Sequence, residues 1–431
     1  MAHQAHALPW QTLADNFKFV YANTKYYGRT NLYPCLKPGQ GKQLQHFARV
    51  FARLMDDFSA QELEKYPDEL TPPTDDEIFI PDSTVKRISK TVKYYKTPKP
   101  RSTYSNEPKE LRLTEAERKL PYWLLNIRDD ASYPKDEVLE CVELLKTLVS
   151  YGEMEPLMRL ASHPAVHLQT IWSFPYDRDI EHGWTDIKNC ALMAYLCLNM
   201  FLVKPELYDP ASRSQKLNEM RKARSPVYSG RQCDYRNTSS YQKMLVHCTF
   251  TRSDSQYEVC ALPHREFFGI ERHMISTPNW NGLAKAQVGY GPWSELLDAK
   301  YRSWYVPSVS DIPTVVSIMK HFVPTELALQ ILEHADYTAK RRVPVPNDPL
   351  HRDNAEELKK YLSYCWKVLA RVDMLLKANG KWIDWEYEVT ECIYDLWGVP
   401  YPKMCTTKQA WEISGRREGD IDPSRVLRTF T

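Results

Sequence analysis

Apolar residues that recur every three and four positions restrict how this chain can fold more than any other feature does. Leu358, Tyr361, Leu362, Cys365, Leu369, Val372, Leu375 and Leu376 make the clearest stripe. The spacing predicts a long helix from a cap at Asn354 to Lys377, with Gly380 just past its end. Asp384 can cap the next helix, which presents Val389, Ile393, Leu396 and Trp397 and stops at Gly398 before Pro400. The same periodicity marks Gln43 to Phe58 through Leu44, Phe47, Val50, Phe51 and Leu54. It returns behind a Ser132 cap and Pro134, through Val138, Val142, Leu145 and Val149, and again over Pro156 to Ser173 and Trp184 to Val203. The greasiest run, Ala191 to Val203, falls short of the roughly 20 residues that a bilayer crossing needs and reads as a core helix. The expected fold class is mainly α, in helical domains with a small β-hairpin element.

The hairpin is placed at Met244 to Phe250 and Tyr257 to Leu262, two short runs rich in β-branched and aromatic residues around the turn-like Arg252-Ser253-Asp254-Ser255. Composition then divides the chain. Residues 1–70 read as an N-terminal helical segment. Residues 71–110 read as a basic linker, broken by six prolines and carrying Lys86, Arg87, Lys90, Lys93, Lys96, Lys99 and Arg101. A helical domain at 111–207 precedes a mixed, aromatic-rich region at 208–305, a C-terminal helical module at 306–402 and a polar tail at 403–431. Leu157 to Trp172 has a faint armadillo character, but no second copy follows at a fixed period.

Charge and glycine usage exclude some classes. With 57 basic against 55 acidic residues, the net charge of +2 gives no global attraction to nucleic acid or an anionic membrane. The lysine-rich linker, with Tyr94 and Tyr95 as stacking faces, is the one place where phosphates could lie. Only 14 glycines stand against 30 prolines, which argues against the glycine turns of a nucleotide enzyme. Gly39-Gln40-Gly41-Lys42 lacks the first glycine and the Ser or Thr of a phosphate loop. The N-terminal residues show neither a basic region nor an apolar one of secretory type, and ten cysteines stand at irregular spacing, so a reducing cytoplasm or nucleus is expected and the Asn237-Thr238-Ser239 sequon reads as a chance match.

No reaction emerges from the side-chain inventory. His247, Cys248, Cys260 and His264 have the right chemistry for zinc, but on a hairpin the adjacent His247 and Cys248 would point to opposite faces. His163 and His167 stand four apart without an acidic partner, and the pairs Asp56-Asp57 and Asp129-Asp130 lack a second acidic motif. No Gly-x-Ser-x-Gly elbow occurs. Catalytic residues, metal sites and cofactors are therefore all expected to be absent. An enzyme hidden from the sequence would need His163, His167, His247 and His264 to converge in a pocket.

Phe322 to Glu333 carries the functional expectation. Pro324 and Glu326 suit a helix start by backbone geometry and dipole, and Leu327, Ile331 and Leu332 follow on one side as a stripe that can dock into a partner's groove. In register, Val323, Pro324, Glu326, Leu327, Ile331 and Leu332 resemble the opening of an F-box. Tyr364-Cys365-Trp366-Lys367-Val368-Leu369 loosely resembles its later helix, with Trp366 as a further partner-binding candidate. Tyr337 to Asp353, with three prolines, stands where an F-box has a short connection. The resemblance implies a C-terminal F-box-like module that binds a Skp1-like adaptor and brings a protein client, held by the aromatic-rich centre, to a cullin-RING ubiquitin ligase. Val345 to His351, followed by a helix bearing Tyr361, Tyr364, Cys365 and Trp366, also looks like a recurring segment of proteins from filamentous ascomycete fungi. The alternatives are an armadillo-like scaffold without a ubiquitin role, a nucleic-acid contact through the linker, or the hidden enzyme.

Overall fold

A computed structural model describes residues 8–20, 31–34, 41–67, 69–96, 112–127, 136–172, 174–177, 180–215, 234–249, 259–270, 275–276, 300–301, 306–335 and 337–397. The helices among them are α1 (Trp10–Ala14), α2 (Gly41–Leu63), α3 (Asp82–Lys96), α4 (Leu120–Ile127), α5 (Asp136–Tyr151), α6 (Met154–Ala161), α7 (Thr185–Leu202), α8 (Ser239–Thr249), α9 (Leu262–Phe268), α10 (Asp311–Met319), α11 (Thr325–His334), α12 (Ala355–Ala378) and α13 (Trp385–Trp397). Three antiparallel strand pairs complete them: β1 (Phe17–Val20) with β2 (Asn31–Pro34), β3 (Phe174–Asp177) with β4 (Ile180–His182), and β5 (Ile275–Ser276) with β6 (Lys300–Tyr301). Helix dominates, as the periodicity requires. None of these helices is long and apolar enough to cross a membrane.

Helix α7 is buried from Ile187 to Phe201 on every side except near Asn189, so it can only sit inside other helices. It packs against α8, α12 and α13, while α2 closes over α12 and α13. Aromatic rings fill the junction: the Trp366 ring lies 5.2 Å from Phe51, 5.3 Å from Tyr195 and 6.1 Å from Phe58. A carboxylate fastens the same place. Asp373 on α12 accepts from Ser59 Oγ of α2 at 2.6 Å and from Trp385 Nε1 of α13 at 3.0 Å, and Lys377 lies 2.6 Å away. Burying a charge is tolerable only when its lone pairs are met in this way.

Local stop signals work largely as expected. Gly380 ends α12 with a left-handed φ of 68°, and Lys381 N–H returns to the Leu376 carbonyl at 3.0 Å. Asp384 accepts from the Tyr387 amide at 3.1 Å and so caps α13. Asn354 precedes α12, but its side chain ties the turn before the helix, bonding both the amide and the carbonyl of Val345 at 2.8 Å.

Two expectations are corrected. The strand run Met244 to Thr249 is helical, part of α8, and Val259–Ala261 is a 3-10 turn leading into α9, so the small strand pairs lie elsewhere. The basic linker contains α3, whose Val85, Ile88, Val92 and Tyr95 are buried against the body. One cluster of buried side chains runs from Leu8 to Trp397. The polar tail at 403–431, Lys99, Arg101 and the Asp129-Asp130 pair lie outside the described residues.

Candidate functional site

Helices α10 and α11 form a hairpin that stands apart from this packing. No residue of α10 is buried, and α11 buries only Ala328 and Leu332, so the pair is held mainly against each other. At 100° per residue, Ala328 and Leu332 share a direction. Leu327 and Ile331 flank it on one side and Leu329 on the other, which makes the apolar face wider than its intramolecular cover. Phe322 in the connecting turn is 82% exposed, Leu327 48% and Ile331 47%. Of the ten large hydrophobic side chains exposed among the described residues, six (Val309, Ile318, Phe322, Leu327, Leu329, Ile331) lie between 309 and 331. Concentration of that kind distinguishes an interaction surface from scattered exposed leucines.

The stripe expected from the sequence is therefore split. Leu327 and Ile331 point out, Leu332 points in, Val323 is half-buried, and Pro324 and Glu326 are exposed at the helix start. Trp366 is 4% exposed in the central core and takes no part in this surface. Val309, Ile318, Phe322 and Leu329, which enlarge the patch, were not among the candidates; their isolated hydrophobicity gives no periodic signal.

The hairpin is moored at its base by Arg341, which is 4% exposed. Its Nε donates to the Val306 carbonyl at 3.0 Å and its Nη1 to the carbonyls of Val343 and Pro344, while Nη2 reaches Asp311 in the first turn of α10 at 3.3 Å. The amides of Lys340 and Arg341 both donate to the Pro307 carbonyl at 3.0 Å. The aliphatic stem lies against Gly269, where an added Cβ would come within 2.5 Å of Arg341 Cδ. Only glycine fits that approach, and its φ of 68° favours glycine again.

A second constellation is buried. Cys190 on α7, Cys248 on α8 and His264 on α9 bring their ligand atoms within 4.8 Å of one another. Cys260, also buried, lies in the turn that leads into α9, near Cys190 but outside that group of three. The Cys248 thiol donates to the Cys190 carbonyl at 3.4 Å, and the Tyr361 hydroxyl lies 2.5 Å from His264 Nδ1. Burial pushes the His264 pKa down to about 3 and that of Cys248 up, so the group holds a neutral imidazole and protonated thiols. The sequence offered Cys248, Cys260 and His264 but not Cys190, which joins through helix packing although it stands 58 positions from Cys248.

Other candidates disperse. His163 sits in the turn after α6, its Nδ1 accepting from the Ala165 amide at 3.1 Å, and His167 precedes a 3-10 turn, so they share no helix face. Three of the five α3 cations are paired, Arg87 with Glu153, Lys90 with Glu266 and Lys96 with Glu117, while Tyr94 accepts from Arg265 and Tyr95 is buried. A surface groove of about 500 Å³ is lined by Tyr66, Glu77, Arg87, Glu153 and Arg159. Its Arg159–Glu77 pair is bidentate at 2.6 and 2.8 Å and holds the Glu77 carboxyl below its ordinary pKa, the mark of a structural ion pair.

Comparison with known proteins adds a family and corrects the resemblance. The family model described as Gramillins biosynthetic cluster protein GRA5 matches residues 11–410. The match overturns the F-box assignment of the C-terminal segment: the whole stretch from Phe322 to Leu376 belongs to a domain shared along nearly the full chain. No curated protein and no solved structure matches.

Proposed function

The chain belongs to the family of Gramillins biosynthetic cluster protein GRA5, and from that premise we propose that it is a non-catalytic interaction protein that docks another protein of such a cluster through the α10–α11 hairpin. The observation that carries the reading is the exposed ridge of Phe322, Leu327 and Ile331 on a hairpin moored to a large rigid core. Such an arrangement presents apolar surface while spending little ordering entropy on binding. Full burial of a Leu or Ile side chain contributes about 1.5–3 kcal/mol, so the outstanding half of each is worth about 1 kcal/mol on docking. Two buried aspartates in their place would cost far more.

The test is recovery of the tagged chain from a cell that expresses its cluster, with retained proteins identified by mass spectrometry. Wild type is expected to hold at least one cluster-encoded protein, and the double variant Leu327→Asp, Ile331→Asp to lose it with an unchanged far-UV spectrum. Retention of the same protein by the double variant would refute docking at this face.

A further inference from the structure

We propose that Cys190, Cys248, Cys260 and His264 form a closed structural site for one zinc-type divalent cation, which clips α7, α8 and α9 together. The argument begins from donor chemistry. Thiolate and imidazole are preferred ligands of zinc, and four of them with no bound water make a structural site. Ligand atoms around tetrahedral zinc lie about 3.5–3.8 Å apart, as bond lengths of about 2.1–2.3 Å require. The three atoms already within 4.8 Å of one another need to close by about 1 Å or less, a rotamer adjustment and not a change of fold. Cys260, buried in the turn that leads into α9 but outside that group of three, is the candidate fourth ligand and has further to move.

The surroundings suit this role. A ligating imidazole ordinarily keeps a hydrogen-bond partner on its other ring nitrogen, and the Tyr361 hydroxyl already contacts the ring. Tyr361 is itself fixed, stacked on Phe267 with ring centroids 3.8 Å apart. Two thiolates balance the charge of one divalent cation. All four candidate residues are buried, so no open position faces a substrate. Loading would accompany folding and displace the thiol protons.

Adjacent residues on a helix diverge by about 100°, so Cys248 enters the group while His247 need not. The obstacle seen on a hairpin therefore disappears once this segment is helical.

The full-length chain, purified under reducing agent from zinc-supplemented cells, is expected to retain about one zinc per chain by elemental analysis. Exchange to cobalt should give the intense visible and near-ultraviolet bands of tetrahedral thiolate ligation. Cys248→Ser should weaken these bands and the zinc content, whereas Cys197→Ser, at a buried thiol outside the group, should leave both unchanged. The inference is overturned if the wild-type chain neither retains zinc nor gives thiolate–cobalt bands, or if Cys248→Ser keeps the wild-type spectrum and stoichiometry. These readouts do not depend on partner docking, so the two proposals fail separately.

Discussion

Replacing Arg341 by Met should loosen the α10–α11 hairpin while leaving the core standing. Methionine keeps an unbranched stem against Gly269, so little packing is lost, but it removes the guanidinium donors to Val306, Val343 and Pro344 and the pairing with Asp311. Hydrogen bonds from a charged donor contribute about 1.5–3 kcal/mol each, and of the residues whose carbonyls are left behind Val306 and Val343 are buried at the hairpin's base while Pro344 is exposed. The three carbonyl bonds share one cation whose own desolvation opposes them, so they are not additive; a net loss of about 3 kcal/mol is the reasoned lower value. At about 1.4 kcal/mol per tenfold change, that loss speeds opening-limited exchange roughly a hundredfold. Hydrogen-exchange mass spectrometry reads it directly. Amides such as Lys320, Ala328 and Ala335, which close the two helices, should exchange faster, and those of α7 and α12 should not. Unchanged protection over 311–334 would show that the hairpin does not depend on this anchor, and the picture of a moored docking platform would be wrong.

Two further substitutions test the backbone and the charge balance. Gly152→Ala places a Cβ 2.6 Å from Arg371 Nη2 at a φ of 79° and disturbs the bonds that Arg371 Nη1 makes to the Val149 and Ser150 carbonyls, so it should cost about 2–4 kcal/mol in urea unfolding; Gly380→Ala, at a φ of 68° with open space around its Cβ, should cost only about 1 kcal/mol, and equal costs would refute the steric argument. Burial, with repulsion from Glu388 and Asp395, raises the Glu391 carboxyl from 4.5 to about 7. The folded chain then holds that proton to higher pH than the unfolded chain, so stability falls as pH rises from about 4.5 to about 7. Glu391→Gln should remove about 1–2 kcal/mol of this decline, a fraction of the full shift because the side chain keeps some water contact; a variant effect equal at pH 5 and pH 8 would exclude the assignment.

How much of this was legible follows from what each element buries. Helix α12 keeps an exposed face through its first half, so its stripe from Leu358 stands out although Val368 to Leu376 is covered nearly all round, and Gly380 and Asp384 mark its surroundings. Helix α8 is buried on nearly all sides, from Ser240 to Thr249, and a short run covered all round shows no period that separates helix from strand. In α3 the spacing of Val85, Ile88, Val92 and Tyr95 was present, but lysines and flanking prolines gave the segment the composition of a linker. Two of those lysines turn out to be paired, Lys90 with Glu266 at the surface and Lys96 with Glu117 where both side chains are largely covered. Pro324 and Glu326 express the general physics of a helix start, which many folds share, and so could not specify a family. The Cys190–Cys248–His264 group depends on how α7, α8 and α9 cross, and no local pattern records that.

The two proposed sites meet at α9. His264 faces the thiols from one part of this seven-residue helix, while the Glu266 carbonyl accepts from the Arg342 amide at 2.8 Å and Gly269, the helix's left-handed cap, carries the Arg341 stem. A cation that fixed His264 would therefore stiffen the helix against which the hairpin's anchor is set. The linkage has a direction that can be checked, because ligand binding protects only what it orders. Zinc removal should raise exchange first in α8 and α9 and, if α9 transmits its restraint through Gly269 and Arg341, next in α10 and α11. In Arg341→Met the second step should vanish and the first should persist. A hairpin that loosens on zinc removal equally with and without the arginine would break this link between the buried thiols and the docking face.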